Sequence, residues 1–148
     1  MPRNSFVLLS LLSVAGFVAL AQSPSKPDQT AAPAEYKIPP EAVKQANPVK
    51  ATAASLAAGK RMYGYDCAMC HGAKGDGKGD LAADMKTPIV DFRDPKGMQT
   101  KTDGELFYII KNGKGEMPAE GTRAKPEQVW DMVNYIRSLS KKETAEKK

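Results

Sequence analysis

Two cysteines and the single histidine of the chain stand together in the segment Cys67-Ala68-Met69-Cys70-His71. A zinc ion would find at most three ligands here, which is too few for a closed structural site. A thioredoxin-like dithiol is expected within a βαβ unit, and no strand is predicted nearby. The pattern C-x-x-C-H predicts instead that both thiols form thioether bonds to the vinyl groups of one c-type haem. His71 would then bind the iron.

The second axial ligand has to come from elsewhere, because the chain has no other histidine. A methionine thioether suits an electron-transfer haem, and the chain has seven methionines. Met62 and Met132 fall in predicted helices, where packing in the core is the commoner role. Met117 lies in a glycine-rich loop after a helix, and the following proline restricts its backbone. Met117 is therefore the predicted sixth ligand, and Met98 is the second choice.

The elements that carry these residues are predicted to be helices. Residues 53–66, just before the cysteines, have apolar residues at helical spacing after a cap at Thr52. A second helix begins at a capping box formed by Thr102 and Glu105 and ends near Gly113. A third begins near Pro126. A short helix is expected over residues 80–86, and no segment alternates as a strand does.

Residues 1–21 have the pattern of a secretory signal peptide. Arg3 precedes an apolar run that ends in the cleavage pattern Ala19-Leu20-Ala21. The run is about 15 residues long, short of the roughly 20 that span a bilayer. The leader is therefore predicted to be cleaved after Ala21, which implies export to the periplasm. An uncleaved leader would instead anchor the protein in the membrane.

The rest of the chain divides into three parts. Residues 22–50 contain six of the eleven prolines and few bulky apolar residues, which predicts an arm or linker. This arm has one segment that would pack on the domain, Tyr36-Lys37-Ile38-Pro39-Pro40. Residues 51–140 form the predicted folded domain, and residues 141–148 form a charged tail that is expected to fray.

The distribution of charge argues against nucleic-acid binding. The net charge is +5, but residues 51–140 contain 13 Lys and Arg against 12 Asp and Glu. The domain therefore lacks a concentrated basic face, and the excess charge belongs to the leader, the arm and the tail. The glycines at 75, 77 and 79 follow a helix, whereas a dinucleotide-binding loop follows a strand.

Residues 55–139 resemble the class I cytochrome c family. The resemblance rests on three segments, Tyr63–Gly72 around the haem motif, Asn112–Pro118 with the candidate methionine, and Trp130–Leu139. It implies a small all-α domain of about three to five helices wrapped around one covalently bound haem. In that fold the first and last helices cross, so Gly59 and Tyr63 would pack against Met132 and Tyr135.

One departure from the family concerns the surroundings of His71. Many members have a proline soon after the haem motif, and its carbonyl accepts a hydrogen bond from the ligand histidine. Here that position reads Gly79-Asp80-Leu81, and the next proline is Pro88. The hydrogen-bond partner of His71 is therefore left open. Leu81 is expected to pack on the haem.

The resemblance implies a carrier of one electron, which is neither an enzyme nor a binder of small-molecule substrates. Cys67 and Cys70 would hold the haem, and His71 and Met117 would ligate the iron. Its donor and acceptor would be redox proteins, such as membrane-associated respiratory complexes or periplasmic dehydrogenases. Two alternatives stay open. One is a haem enzyme or gas-binding sensor with an open sixth position, and the other is a cytochrome subunit of a larger dehydrogenase or oxidase.

Overall fold

The structure, a computed structural model, describes residues 36–146, with side chains described as far as Lys141. The predicted leader lies outside these residues. Six α-helices and one 3₁₀ turn follow one another: α1 Pro40–Val43, α2 Ala53–Asp66, α3 Ala68–His71, the 3₁₀ turn Ala82–Asp84, α4 Pro95–Gln99, α5 Asp103–Asn112 and α6 Pro126–Glu146. Residues 36–146 contain no strand, and Lys114 and Met117 form an isolated bridge. The predicted all-α fold is confirmed.

The three longer helices begin where the sequence predicts, α2 and α5 after their capping threonines and α6 at Pro126. Thr52 accepts a hydrogen bond from the Ser55 amide at 3.2 Å at the start of α2. Thr102 and Glu105 form the predicted capping box of α5. That helix ends at Gly113, whose φ of 76° lies in the left-handed region. No helix within residues 36–146 has the length and apolar composition needed to cross a bilayer.

The core forms where α2 crosses α6. Gly59 of α2 lies directly against the backbone of Asp131 in α6, and a Cβ at Gly59 would lie 2.9 Å from Tyr135 Cβ. Tyr63 is 1% exposed and packs edge-on against Tyr135, with 5.2 Å between ring centroids. Met132 on the same face is fully buried. The close approach predicted for Gly59 and Tyr63 is therefore present, and it fixes the helix that leads into the cysteines.

Helix α6 also holds the other helices. Trp130 stacks on Phe107 of α5 with 4.0 Å between ring centroids. The guanidinium of Arg137 donates to Asp103 at 2.7 Å at the start of α5 and to the Met98 carbonyl in α4 at 2.5 Å. The helix continues to Glu146, past the boundary expected near residue 140.

Two short helices were not predicted from the sequence. Helix α4 begins at Asp94, whose carboxylate accepts hydrogen bonds from the two amides that follow Pro95. Helix α1 lies within the proline-rich arm, where Pro40 occupies the first turn, a position that proline tolerates. Residues 36–50 of the arm pack along the domain, and Asn47 donates to the side-chain oxygen of Asn134 at 2.9 Å.

Candidate functional site

The two cysteines and the histidine lie on one helical turn at the end of α2. Cys67 caps α2, with its amide bonded to the Tyr63 carbonyl at 3.0 Å. The turn continues into α3, where the amides of Cys70 and His71 both bond to the Cys67 carbonyl, at 3.2 and 2.9 Å. Both cysteines are free thiols and partly buried. The structure thus presents the two sulfurs and the imidazole from a single rigid turn.

The imidazole of His71 is held by an aromatic neighbour. Phe92 stacks on the ring with 4.4 Å between centroids and 19° between planes. Burial lowers the pKa of His71, and the nearby backbone carbonyl of Val90 partly opposes this shift. Among the described residues, the buried Nδ1 atom has no hydrogen-bond partner. The ring is therefore neutral at neutral pH, which is the form that binds a metal.

A cluster of charged residues lies beside Cys67. Burial raises the pKa of the Cys67 thiol to about 12, and the charges of Glu120 and Asp66 act in the same direction. Arg123 bonds to the Glu120 carboxylate and lies 3.3 Å from Asp66. Glu120 is 3% exposed, and its Oε2 has no hydrogen-bond partner among the residues that the structure describes. This cluster connects the end of the loop that carries Met117 with the end of α2.

Met117 closes a tight turn. Its amide and carbonyl bond to the carbonyl and amide of Lys114 at 3.0 and 3.1 Å. Gly113 begins the turn, and a Cβ there would lie 2.6 Å from the Met117 carbonyl oxygen. The side chain of Met117 is partly buried and packs against the hydrophobic core. The structure therefore fixes the backbone at Met117 while part of its side chain remains accessible.

Two of the other methionines have the packing role that the sequence predicts. Met132 is fully buried and Met62 packs against the core. Met98, the second choice as a ligand, belongs to α4 and is 2% exposed within the core. Met85 is partly exposed, and the Lys86 amide beside it bonds to the Glu116 carboxylate at 3.0 Å, which brings the two loops together.

Sequence reasoning missed Phe92, Val90 and Glu120. Each reaches the Cys67–His71 turn through a loop, and no local pattern marks them. The Phe92 amide bonds to the Gly75 carbonyl at 2.7 Å, which carries its ring back to the turn. The backbone of Val90 lies near the His71 ring, but the hydrogen-bond partner of Nδ1 that the sequence left open is not found among the described residues.

Tyr63 makes the stability of the folded protein depend on pH in the alkaline range. Its hydroxyl donates to the Gly72 carbonyl at 2.7 Å, just after His71. Burial raises the pKa of Tyr63, and neighbouring acidic groups add to the shift. The stability that the protonated phenol contributes is full below its unfolded-state pKa of about 10, and it is lost as the pH rises through the higher folded-state pKa.

We expect Tyr63→Phe to be about 1 kcal/mol less stable than the parent near neutral pH, because the Gly72 carbonyl loses its donor. The difference in the free energy of unfolding between the parent and Tyr63→Phe should narrow above about pH 10, because only the parent has a phenol proton to lose at this position. Denaturant unfolding across this range measures both effects. The exposed Tyr65→Phe is the control and should parallel the parent. A gap that widened with pH would contradict the assignment.

The residues present fit a covalently attached haem. Within the part of the chain that the structure describes, the two thiols are unpaired and the buried Nδ1 of His71 lacks a partner. Among the described residues, no group of three or more His, Cys, Asp or Glu side chains is placed to hold a metal ion. Two thiols that can form thioether bonds and one imidazole on the same turn are the donor set that suits a covalently attached haem.

Comparison with known proteins agrees with this fit. The family model for cytochrome c oxidase, cbb3-type, subunit III, matches residues 54–136. The chain is 35% identical to cytochrome c6 of Pyropia yezoensis over 92 residues, covering 62% of this chain and 78% of that protein. It is 30% identical to cytochrome c6 of Synechococcus over 95 residues, covering 64% of this chain and 80% of that protein.

A solved structure supports the fold. A chain of the Kuenenia stuttgartiensis reducing HAO-like protein complex matches with a TM-score of 0.55 and 23% identity. The match covers 62% of this chain, and this chain spans 46% of that one. The family model and the cytochrome c6 relatives agree with the turn that carries Cys67, Cys70 and His71. The chain belongs to the cytochrome c family and is a class I, single-haem c-type cytochrome of electron transfer.

Proposed function

We propose that this chain is an exported electron carrier in which Cys67 and Cys70 hold one haem c and His71 and Met117 are the axial ligands. The proposal rests on the geometry of the Cys67–His71 turn. Two free thiols and a buried, neutral imidazole stand on one helical turn. Met117 joins them as the partly buried methionine whose backbone is fixed in a closed turn.

The residues of the chain would keep the site in one geometry. When bound, haem c supplies an iron that exchanges a single electron between its ferric and ferrous forms. Phe92 fixes the plane of the His71 ring, and the bonds between Lys114 and Met117 fix the backbone of the second ligand. Ligands held in this way move little between oxidation states. A methionine sulfur at the iron raises the reduction potential.

The partners of such a carrier would be a donor and an acceptor that are themselves redox proteins. The nearly neutral charge of residues 51–140 supports contact through a local surface rather than through a strongly basic face. Export rests on the leader at residues 1–21, whose cleavage would release the carrier into the periplasm. The cytochrome c6 relatives support the carrier role.

The ligation is tested by replacing methionines one at a time. We expect Met117→Leu to lose the far-red absorption band of ferric, methionine-ligated haem. Its ferrous form should bind carbon monoxide readily, because the sixth position is then open. Absorption spectra of the purified holoprotein measure both.

Met85→Leu and Met98→Leu are the matched controls and should retain the band. Met85 lies in the loop bonded to Glu116, and Met98 was the second choice from the sequence. Survival of the band in Met117→Leu would reject Met117 as the ligand. An absent band and rapid carbon monoxide binding in the parent protein would favour the haem enzyme or gas sensor.

A second candidate is a fixed subunit of a larger assembly. The matching family model describes an oxidase subunit, and the structural neighbour belongs to a multi-protein complex. Purification of the native protein from its membrane and soluble fractions separates the two roles. A free monomer supports the carrier, and constant co-purification with an oxidase or dehydrogenase supports the subunit.

A further inference from the structure

Tyr36, at the start of the described arm, contacts the loop that carries Met117. Its hydroxyl donates to the Gly113 carbonyl at 2.8 Å. Its ring packs edge-on against Tyr108 of α5, with 6.3 Å between centroids, and the Lys114 ammonium lies 5.4 Å from the ring centroid. Burial raises the pKa of Tyr36, so the hydroxyl stays protonated and able to donate. Tyr36 therefore holds the two residues on which the turn begins.

The arm that carries Tyr36 is fixed to the domain at other points. The Thr102 hydroxyl donates to the Val43 carbonyl at 2.8 Å, at the start of α5. Gly104 lies directly against the Ala42 carbonyl oxygen, where a side chain would collide. Farther along, Asn47 donates to Asn134 at 2.9 Å and to the Trp130 carbonyl at 3.3 Å. The contacts of Ala42 and Val43 are the nearest to Tyr36 and place it independently of the loop that it holds, whereas those of Asn47 hold the far end of the arm.

A short path of contacts leads from Tyr36 to Met117. Gly113 and Lys114 receive the contacts of Tyr36, and Lys114 exchanges two backbone hydrogen bonds with Met117. The Met117 carbonyl also packs against the α-carbon of Gly113, so closely that a Cβ has no room. A displacement of Gly113 or Lys114 would therefore move the Met117 backbone.

We propose that residues 36–43 act as a clamp on the axial-ligand loop, with Tyr36 as the positioning residue that keeps Met117 on the iron. The proposal rests on the proposed ligation by Met117. Tyr36 touches neither the haem nor the iron in this role. It acts by disfavouring the open form of the Gly113–Met117 turn, in which an outside ligand can replace the methionine.

The clamp is tested by adding imidazole to the ferric holoprotein, because imidazole binds the iron only where Met117 has left it. Tyr36→Phe removes one hydrogen bond and keeps the ring, so the affinity for imidazole should rise about fivefold. Tyr36→Ala also removes the ring contacts and should raise it about thirtyfold. The shift of the main haem absorption band measures imidazole binding in every variant, and loss of the far-red band reports displacement of the methionine where it is a ligand.

Asn47→Ala is the matched control. It removes two hydrogen bonds between the arm and α6 without touching the ligand loop. Its global stability should fall while its imidazole affinity stays within about twofold of the parent. If the imidazole affinity rose equally in Asn47→Ala and Tyr36→Phe, the cause would be a general loosening of the domain, and this result would overturn the clamp. If Tyr36→Ala fails to fold, Tyr36→Phe still decides the question.

A double variant separates this inference from the ligand assignment. In Met117→Leu the methionine is absent, so adding Tyr36→Phe should leave the imidazole affinity unchanged. A fivefold rise in that background would mean that Tyr36 acts elsewhere and would overturn the clamp. If Met117→Leu keeps the far-red band, the ligand assignment is wrong. If it loses the band but Tyr36→Phe and Tyr36→Ala bind imidazole as the parent does, the clamp alone is wrong.

Discussion

Gly59→Ala is expected to lower the free energy of unfolding by about 3 kcal/mol. The added methyl group would overlap the Asp131 carbonyl oxygen and lie 2.9 Å from Tyr135 Cβ. The first of these neighbours is helix backbone and has no rotamer to change. The two helices must separate, and the burial of Tyr63 and Met132 at the crossing suffers with them. Denaturant unfolding of the holoprotein measures the loss.

Gly64→Ala, in the same helix, is the matched control. No atom of residues 36–146 lies within 4 Å of a Cβ at Gly64. Alanine is the better helix former by about 1 kcal/mol, so this variant should equal or exceed the parent in stability. The opposite signs of the two substitutions separate a steric effect from a propensity effect. Two variants of equal stability would contradict the close crossing.

Gly113→Ala should lower the free energy of unfolding by about 3 kcal/mol, because it distorts the loop that carries Met117. The residue has a φ of 76°, which alanine adopts with strain, and its Cβ would lie 2.6 Å from the Met117 carbonyl oxygen. Relief of that contact moves the Met117 backbone away from its place in the turn. We therefore expect the far-red band to weaken or disappear, and imidazole to bind more tightly than in the parent.

Gly115→Ala separates strain from collision in the same turn. Gly115 has a φ of 59°, but no atom of the described residues lies within 4 Å of a Cβ there. This variant should lose only about 1 kcal/mol and should keep the far-red band. If both variants kept the band, the contact between Gly113 and Met117 would be unimportant for ligation. If both lost it, backbone strain alone would account for the effect.

The parts of this protein that sequence reasoning predicted are those governed by local rules. The thiols and the imidazole are close because they lie within five consecutive residues. The starts of α2 and α5 follow from hydrogen bonds between Thr52 or Thr102 and amides three residues ahead. Helix α4 has a comparable signal, since Asp94 precedes Pro95, but its five residues carry no helical periodicity.

The surroundings of the site follow from tertiary packing, which has no local signature. Phe92 stacks on His71 because a loop bonded to Gly75 turns it back. Glu120 is a charged residue in a loop, which composition assigns to the surface, yet it is 3% exposed beside Arg123. A proline-rich arm ordinarily lacks the apolar residues to order itself. Here Tyr36 and Asn47 order it by bonding to the domain.

The bond between Tyr36 and Gly113 joins residues that are 77 positions apart, whereas the bonds between Lys114 and Met117 close within one turn of chain. The entropy lost in closing a loop grows with its length, so contacts of short range form at lower cost. This difference favours a folding order in which the ligand turn forms early and the arm docks late. Between these two events the turn would exist without the contact of Tyr36. The loop that carries Met117 could then still move while a newly attached haem reaches its final position.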